Sequence, residues 1–233
     1  RRIPRGATKQ SIIIAGMSAE IPKPSEATEW VAPDDQHDSE PIPELERIAT
    51  PEALAAFMDE RVKYGFVGRD SKKVYAPGDP EWLAAFAKEY YLQSPKELMK
   101  SGHGVCWDDT ELERRWLTDR GYNPKTFFLM YAKEGGTNLP THTFAAYEKD
   151  GTWNWFEHSF ADQRGIHTYD TLDELLSDVQ QKHHAYAAAH SNATDEDVSH
   201  LRIAEYGRPT FGTSPDEFVG AIIDKNPHLT AKE

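Results

Sequence analysis

One cysteine, Cys106, stands in 233 residues. An internal disulfide is therefore excluded, and so is a cysteine-rich zinc cluster. Long apolar runs are missing too, with nothing near the roughly 20 residues that a membrane-spanning helix needs. The run Ser11–Met17 follows basic residues as a signal peptide's core would, but it is short and leads into Pro-rich sequence. The chain is accordingly read as intracellular, cytoplasmic or virion-associated. Positive charge is scarce: 26 Lys and Arg face 39 Asp and Glu, for a formal net charge of −13. Phosphate binding rests on basic patches, so nucleic acid is not expected as a partner. An anionic membrane surface is not expected either, for the same reason. The acidity itself reads as a contribution to solubility.

Aromatic residues are plentiful. Six Trp, ten Tyr and ten Phe are present, most of them after Trp82, which places the core there. Residues 1–46 differ. Pro22, Pro24, Pro33, Pro41 and Pro43 interrupt any helix, and Asp34, Asp35, Asp38, Glu40, Glu44 and Glu46 make the segment acidic. It reads as an extended arm that lies on its own domain or on a protein partner. Residues 47–190 then form the main domain, and 191–233 a C-terminal extension packed on it.

Within the domain the period of the pattern changes. Helix signals come first: Thr50-Pro51-Glu52, Asp79-Pro80-Glu81 and the capping box Ser94-Pro95-Lys96-Glu97, then a helix led by Cys106 and stopped by Gly121. Strand patterns follow at Thr126–Tyr131, His142–Tyr147 and Trp153–His158, with a turn at Lys149-Asp150-Gly151. Thr171–Glu174 caps a further helix through Val179, which Ala185–Ala189 extends or follows, and Leu201–Ile223 reads as a peripheral strand and helix with Arg208-Pro209 between them. Helices followed by an antiparallel sheet make the fold class α+β.

Cys106 at a helix start sits where unpaired N–H groups favour a thiolate. Asp108 and Asp109 suit the same helix start, although their charge opposes the thiolate. A cysteine nucleophile needs a base, and His142 opens a strand directly after a Gly/Pro loop. If the two-residue turn is Lys149-Asp150, His142 lies directly opposite Glu157, Phe144 faces Trp155 and Ala146 faces Trp153. Glu157 would then orient the imidazole. A one-residue slip of register would instead bring His158 beside it.

Gly104-Val105-Cys106-Trp107, a His opening a strand, and a Trp-rich strand ending in an acid resemble the transglutaminase-like superfamily, bacterial and phage members included. The resemblance spans roughly Ser94 to Val179. It implies a papain-like core with Cys at the N-terminus of a helix packed on an antiparallel sheet, His on one strand and an acid on the next. Glu157 takes the acid's place, where the family usually has Asp. The implied chemistry is attack of a thiolate on a carbonyl to give a thioester, resolved by water (peptidase or deamidase) or by an amine (transglutaminase). The Cys106 N–H would contribute to the oxyanion site. Trp107, His103 and Asn138 are candidates to line it, Trp107 being equally suited to core packing. The substrate would be a protein or peptide, and no cofactor or metal is called for.

Three rivals remain. His103, Cys106, His142 and His158, with His183 and His184, are possible zinc ligands, but no second short ligand pair accompanies His103-x-x-Cys106. His183 and His184 read better as surface residues or dipole partners near a helix end. An arylamine-type acetyltransferase shares the Cys-His-acid order but lacks any cofactor-phosphate feature. A catalytically silent subunit of an assembly such as a phage particle would account for the acidic arm.

Overall fold

Strands that are apolar on both faces need cover on both sides, and the residues after Gly121 require such an arrangement. In the computed structural model, which describes residues 41–133 and 139–230, five antiparallel strands form one sheet. They are β5 (Lys125–Tyr131), β6 (His142–Lys149), β7 (Thr152–Glu157), β8 (Gly165–Tyr169) and β9 (Leu201–Tyr206), in the spatial order β8-β7-β6-β5-β9. Two short pairs precede it. β1 (Lys63–Tyr64) lies parallel to β4 (His103–Gly104), and β2 (Phe66–Val67) lies antiparallel to β3 (Val74–Tyr75). The helices are α1 (Pro43–Glu46), α2 (Pro51–Arg61), α3 (Trp82–Glu89), α4 (Pro95–Ser101), α5 (Cys106–Asp119), α6 (Leu172–Ser191) and α7 (Pro215–Lys225).

The two faces of β6 divide by parity. Ala145 and Tyr147 pack with Leu112, Trp116 and Leu117 of α5, and Leu54 and Met58 of α2 join them. Phe144 and Ala146 pack with Trp155 of β7 and with Leu175 and Val179 of α6. The sheet is thus a layer between α5 and α6, and period-two alternation decides which residue serves which layer. Beyond the sheet's β9 edge, α3 and α7 close a third cluster around Trp107, Phe86, Tyr90 and Phe218.

Local signals in the sequence are used as written. Thr50 accepts a bond from the Ala53 N–H, and Ser94 with Glu97 and Thr171 with Glu174 form reciprocal capping boxes. Gly102 ends α4 at φ 66°, a left-handed conformation that a side chain would strain.

Four expectations change. Residues 41–46 are not part of an extended arm: Pro43 starts α1, and Ile42 and Leu45 are buried against α2 and α5. Residues 1–40 lie outside the described residues. The helix expected through Val179 and the stretch Ala185–Ala189, expected as its extension or successor, are one element: α6 runs unbroken to Ser191, because its inward stripe continues through His183 and Ala187. The segment after Ser191 supplies β9, which pairs along β5 from Leu201 to Tyr206 and so belongs to the main sheet. Finally, the β6–β7 turn is Asp150-Gly151, flanked by the pair Lys149↔Thr152. Both turn residues have positive φ, 54° and 82°, as a two-residue hairpin turn of the favoured twist demands. The register therefore moves by two residues from the expected one. Ala146 lies across from Trp155, and Glu148 from Trp153.

Candidate active site

Parity rescues the acid. A shift of two residues keeps every side chain on its face, so Glu157 stays on the His142 side, one pair along. Continued past Ala145↔Phe156, the register sets Glu157 across from Phe144 and diagonal to His142. Diagonal neighbours stand about 7–8 Å apart at the backbone, and the long Glu side chain spans that gap. Its Oε2 meets His142 Nε2 at 2.7 Å. Its Oε1 accepts the Phe160 N–H at 2.7 Å, so both oxygens are held.

Cys106 is the first residue of α5, with Val105 as N-cap. Asp108, the third residue, reaches back to accept the Val105 N–H at 2.9 Å, and it also accepts the Gln93 N–H and the Tyr90 hydroxyl. These bonds brace the helix start. The Cys106 side chain is hydrogen-bonded to the His142 ring. With Nε2 taken by Glu157, Nδ1 is the nitrogen left for the sulfur. The three side chains thus form one chain, thiol to imidazole to carboxylate, and all are buried: Cys106 and Glu157 are 2% exposed and His142 6%.

Burial works against a charged His142. The neighbouring Glu157 charge and the bonds from Cys106 and Glu157 outweigh it and push the imidazole up from 6.5 to about 10. Asp108 behaves differently from expectation. Burial pushes it up to about 8, against three hydrogen bonds that favour its charge. At neutral pH it is then mostly uncharged and opposes a thiolate less than its proximity implies. Glu113, two turns beyond Cys106, is raised well above the carboxylate range by burial and by the Glu157 charge.

The remaining candidates fall as follows. Trp107 is 1% exposed and packs on Phe86, Tyr90 and Phe218, with its ring centroid 4.5 Å from that of Phe218. It is core, and the wall of an acyl site is not where the fold puts it. His103 is half-buried in β4, its Nδ1 3.0 Å from the Ser101 carbonyl oxygen. Asn138 lies outside the described residues. Among the described residues no group of three or more His, Cys, Asp or Glu side chains is arranged to hold a metal ion.

Three further residues, His183, Asp109 and His158, crowd the site. His183 is not at a surface: it is 3% exposed, stacks on His142 with centroids 5.9 Å apart, and donates from Nε2 to the Pro140 carbonyl at 3.1 Å. Burial and the neighbouring His142 push it down to about 3, so it sits there neutral. Asp109 and His158 are buried and bonded to each other at 2.9 Å. The spacing Cys106, Asp109, Glu113 follows one face of a helix, and this was the available signal for Asp109. It is masked by composition, since four acids in eight residues read as a solvated face.

A helix led by Cys and packed on an antiparallel sheet, with His and an acid on adjacent strands, is the layout of a papain-like cysteine-enzyme fold. The transglutaminase-like domain family matches residues 40–164, more than half of the chain, and the chain belongs to that family. No curated protein matches it at a significant level. No helix among the described residues is long and apolar enough to cross a membrane.

Proposed function

We propose that the protein is a cysteine-dependent amide hydrolase or acyl transferase acting on a protein or peptide. The observation that carries this reading is the buried Cys106–His142–Glu157 chain at the start of α5. The Cys106 proton passes to His142, Sγ attacks the amide carbonyl carbon and forms a C–S bond, and the carbonyl oxygen takes up the electron pair. First-turn N–H groups of α5, which a helix leaves without intrahelical partners, face that developing charge. The C–N bond then breaks as His142 gives its proton to the leaving nitrogen. A raised imidazole suits this step, because it holds a proton at neutral pH. Water or an amine next adds to the thioester, His142 accepts its proton, and the C–S bond breaks as that proton returns to the sulfur and restores the thiol. Glu157 keeps the ring oriented and balances the imidazolium.

The test is alkylation of Cys106 by iodoacetamide against pH. Reaction that persists at about pH 6 and falls about tenfold or more in His142→Ala supports the pair. Candidate peptides can then be screened by mass spectrometry for an acyl group on Cys106. A second reading rests on the burial of the thiol at 2% exposure: a transglutaminase-like subunit of an assembly in which the chain of bonds is structural. A thiol inert at all pH values, and unchanged by His142→Ala, would put that reading first.

A further inference from the structure

Glu157 and His158 are consecutive and point to opposite faces of the sheet. Glu157 reaches His142 on the α6 face, whereas His158 reaches Asp109 of α5, with Nδ1 2.9 Å from Oδ2. The Ser159 hydroxyl donates to the same Asp109 oxygen at 2.6 Å, and the Phe160 N–H returns to Glu157. Asp109 lies one helical turn beyond Cys106. The turn 157–160 is therefore tied to the nucleophile's helix twice, once through His142 and once through Asp109. Gly104 shows how closely this packing is drawn: a Cβ there would come within 2.7 Å of Asp109 Oδ1.

We propose that Asp109 and His158 are positioning residues, a second His–carboxylate pair that sets the distance between the α5 start and the Glu157-bearing turn and thereby aligns Cys106, His142 and Glu157. The inference rests on the cysteine-enzyme reading above. Neither residue touches the reacting atoms. His158 is met by Asp109 from α5, by Asp59 of α2 at 3.6 Å, and by Arg164, whose Nε donates to its carbonyl oxygen and whose NH1 pairs with Asp59. Asp109 is faced by His158 and Ser159, and at longer range by Asp108, Tyr64 and Glu113. A carboxylate this buried needs a charged or donating partner. His158 and Ser159 supply that partner, and the Asp109 and Asp59 carboxylates hold the ring on either side. The pair also reaches solvent through Asp59, whose side chain is about half exposed.

The test compares His158→Asn, which keeps a donor near the Nδ1 position, with His158→Leu, which does not. Two readouts are followed against pH: the Cys106 alkylation rate and the ¹⁵N imidazole signals of His142. His158→Leu is expected to lower alkylation at about pH 6 by about tenfold and to move the His142 titration, and His158→Asn to restore most of both. Asp109→Asn, which retains an acceptor for Ser159, serves as the second probe should His158→Leu fail to fold, and the same loss is expected of it. Folding is checked by near-ultraviolet circular dichroism. Folded His158→Leu and Asp109→Asn proteins with a wild-type alkylation profile and wild-type His142 signals would overturn the proposal. If His142→Ala is also without effect, the cysteine-enzyme reading fails with it. If His142→Ala is strongly impaired, only the positioning role is lost.

Discussion

Cys106 and Trp107 are neighbours in sequence, and their side chains lead into opposite kinds of interior. From Cys106 a polar seam runs along α5 through Asp109 and Glu113 and meets His142, Glu157 and His158. From Trp107 an apolar block runs outward through Phe86, Tyr90, Phe66 and Trp82, with Phe218 closing it from α7. Both are almost fully buried. The block is held by contact area and ring geometry and tolerates no loss of volume. The seam is held by directed, charge-assisted bonds and tolerates no loss of a partner. One helix serves both because its period turns successive side chains about 100° apart.

That contrast is open to attack from either side. Trp107→Ala removes the centre of the block and is expected to cost about 3–5 kcal/mol of stability, read as a lower denaturation midpoint in urea. A cost near zero would mean that the block is not the core it resembles. On the seam, His142→Ala is expected to slow Cys106 alkylation near neutral pH by about a hundredfold while leaving the block's near-ultraviolet signal intact. Glu157→Gln is expected to cost less, about tenfold, because the carboxylate orients the ring and does not carry the proton. Glu157→Asp should lose about as much as Glu157→Gln, since the shorter side chain cannot bridge the diagonal from Glu157 to His142 set by the hairpin register. Full activity in Glu157→Asp would show that the register is not what selects the longer acid.

pH reaches the seam through His142 and the start of α5 through Asp108. The His142 value is raised in the folded protein, so its contribution is complete below about 6.5 and is lost as pH climbs toward about 10. Asp108 works in the same direction at lower pH: the native state keeps a proton that the unfolded chain releases, so its contribution erodes between the ordinary value of 3.8 and about 8. Unfolding midpoints should therefore decline from pH 6.5 to 10, and less steeply in His142→Phe. The smallest effect is expected from Cys106→Ala, which removes one buried sulfur and costs about 1 kcal/mol or less. Loss of cooperative unfolding in this variant would assign Cys106 a structural role.

Much of this was legible in residue order. Thr50, Ser94 and Thr171 cap helices where their side chains permit, and β5, β6 and β7 form where β-prone residues run together. Cys106 at a helix start and His142 at a strand start were readable as well, since both depend on short-range signals. The hairpin register was less so. Lys149-Asp150 and Asp150-Gly151 both look like turns, and only the left-handed conformation available to Asp and Gly together selects the second. His183 was misread because its meaning depends on where α6 ends and on what lies beneath it.

By itself, then, the sequence determined most helix starts, the order of the central strands along the chain and which residues stand as candidates for nucleophile and base. These follow from capping, periodicity and residue chemistry within a few neighbours. Only the tertiary structure decided that β9 completes the sheet, that four acids of α5 are buried, and that Asp109 meets His158 across 49 residues. Burial and long-range pairing are properties of the packed layers. An acid on a helix looks the same in sequence whether water or an imidazole will face it.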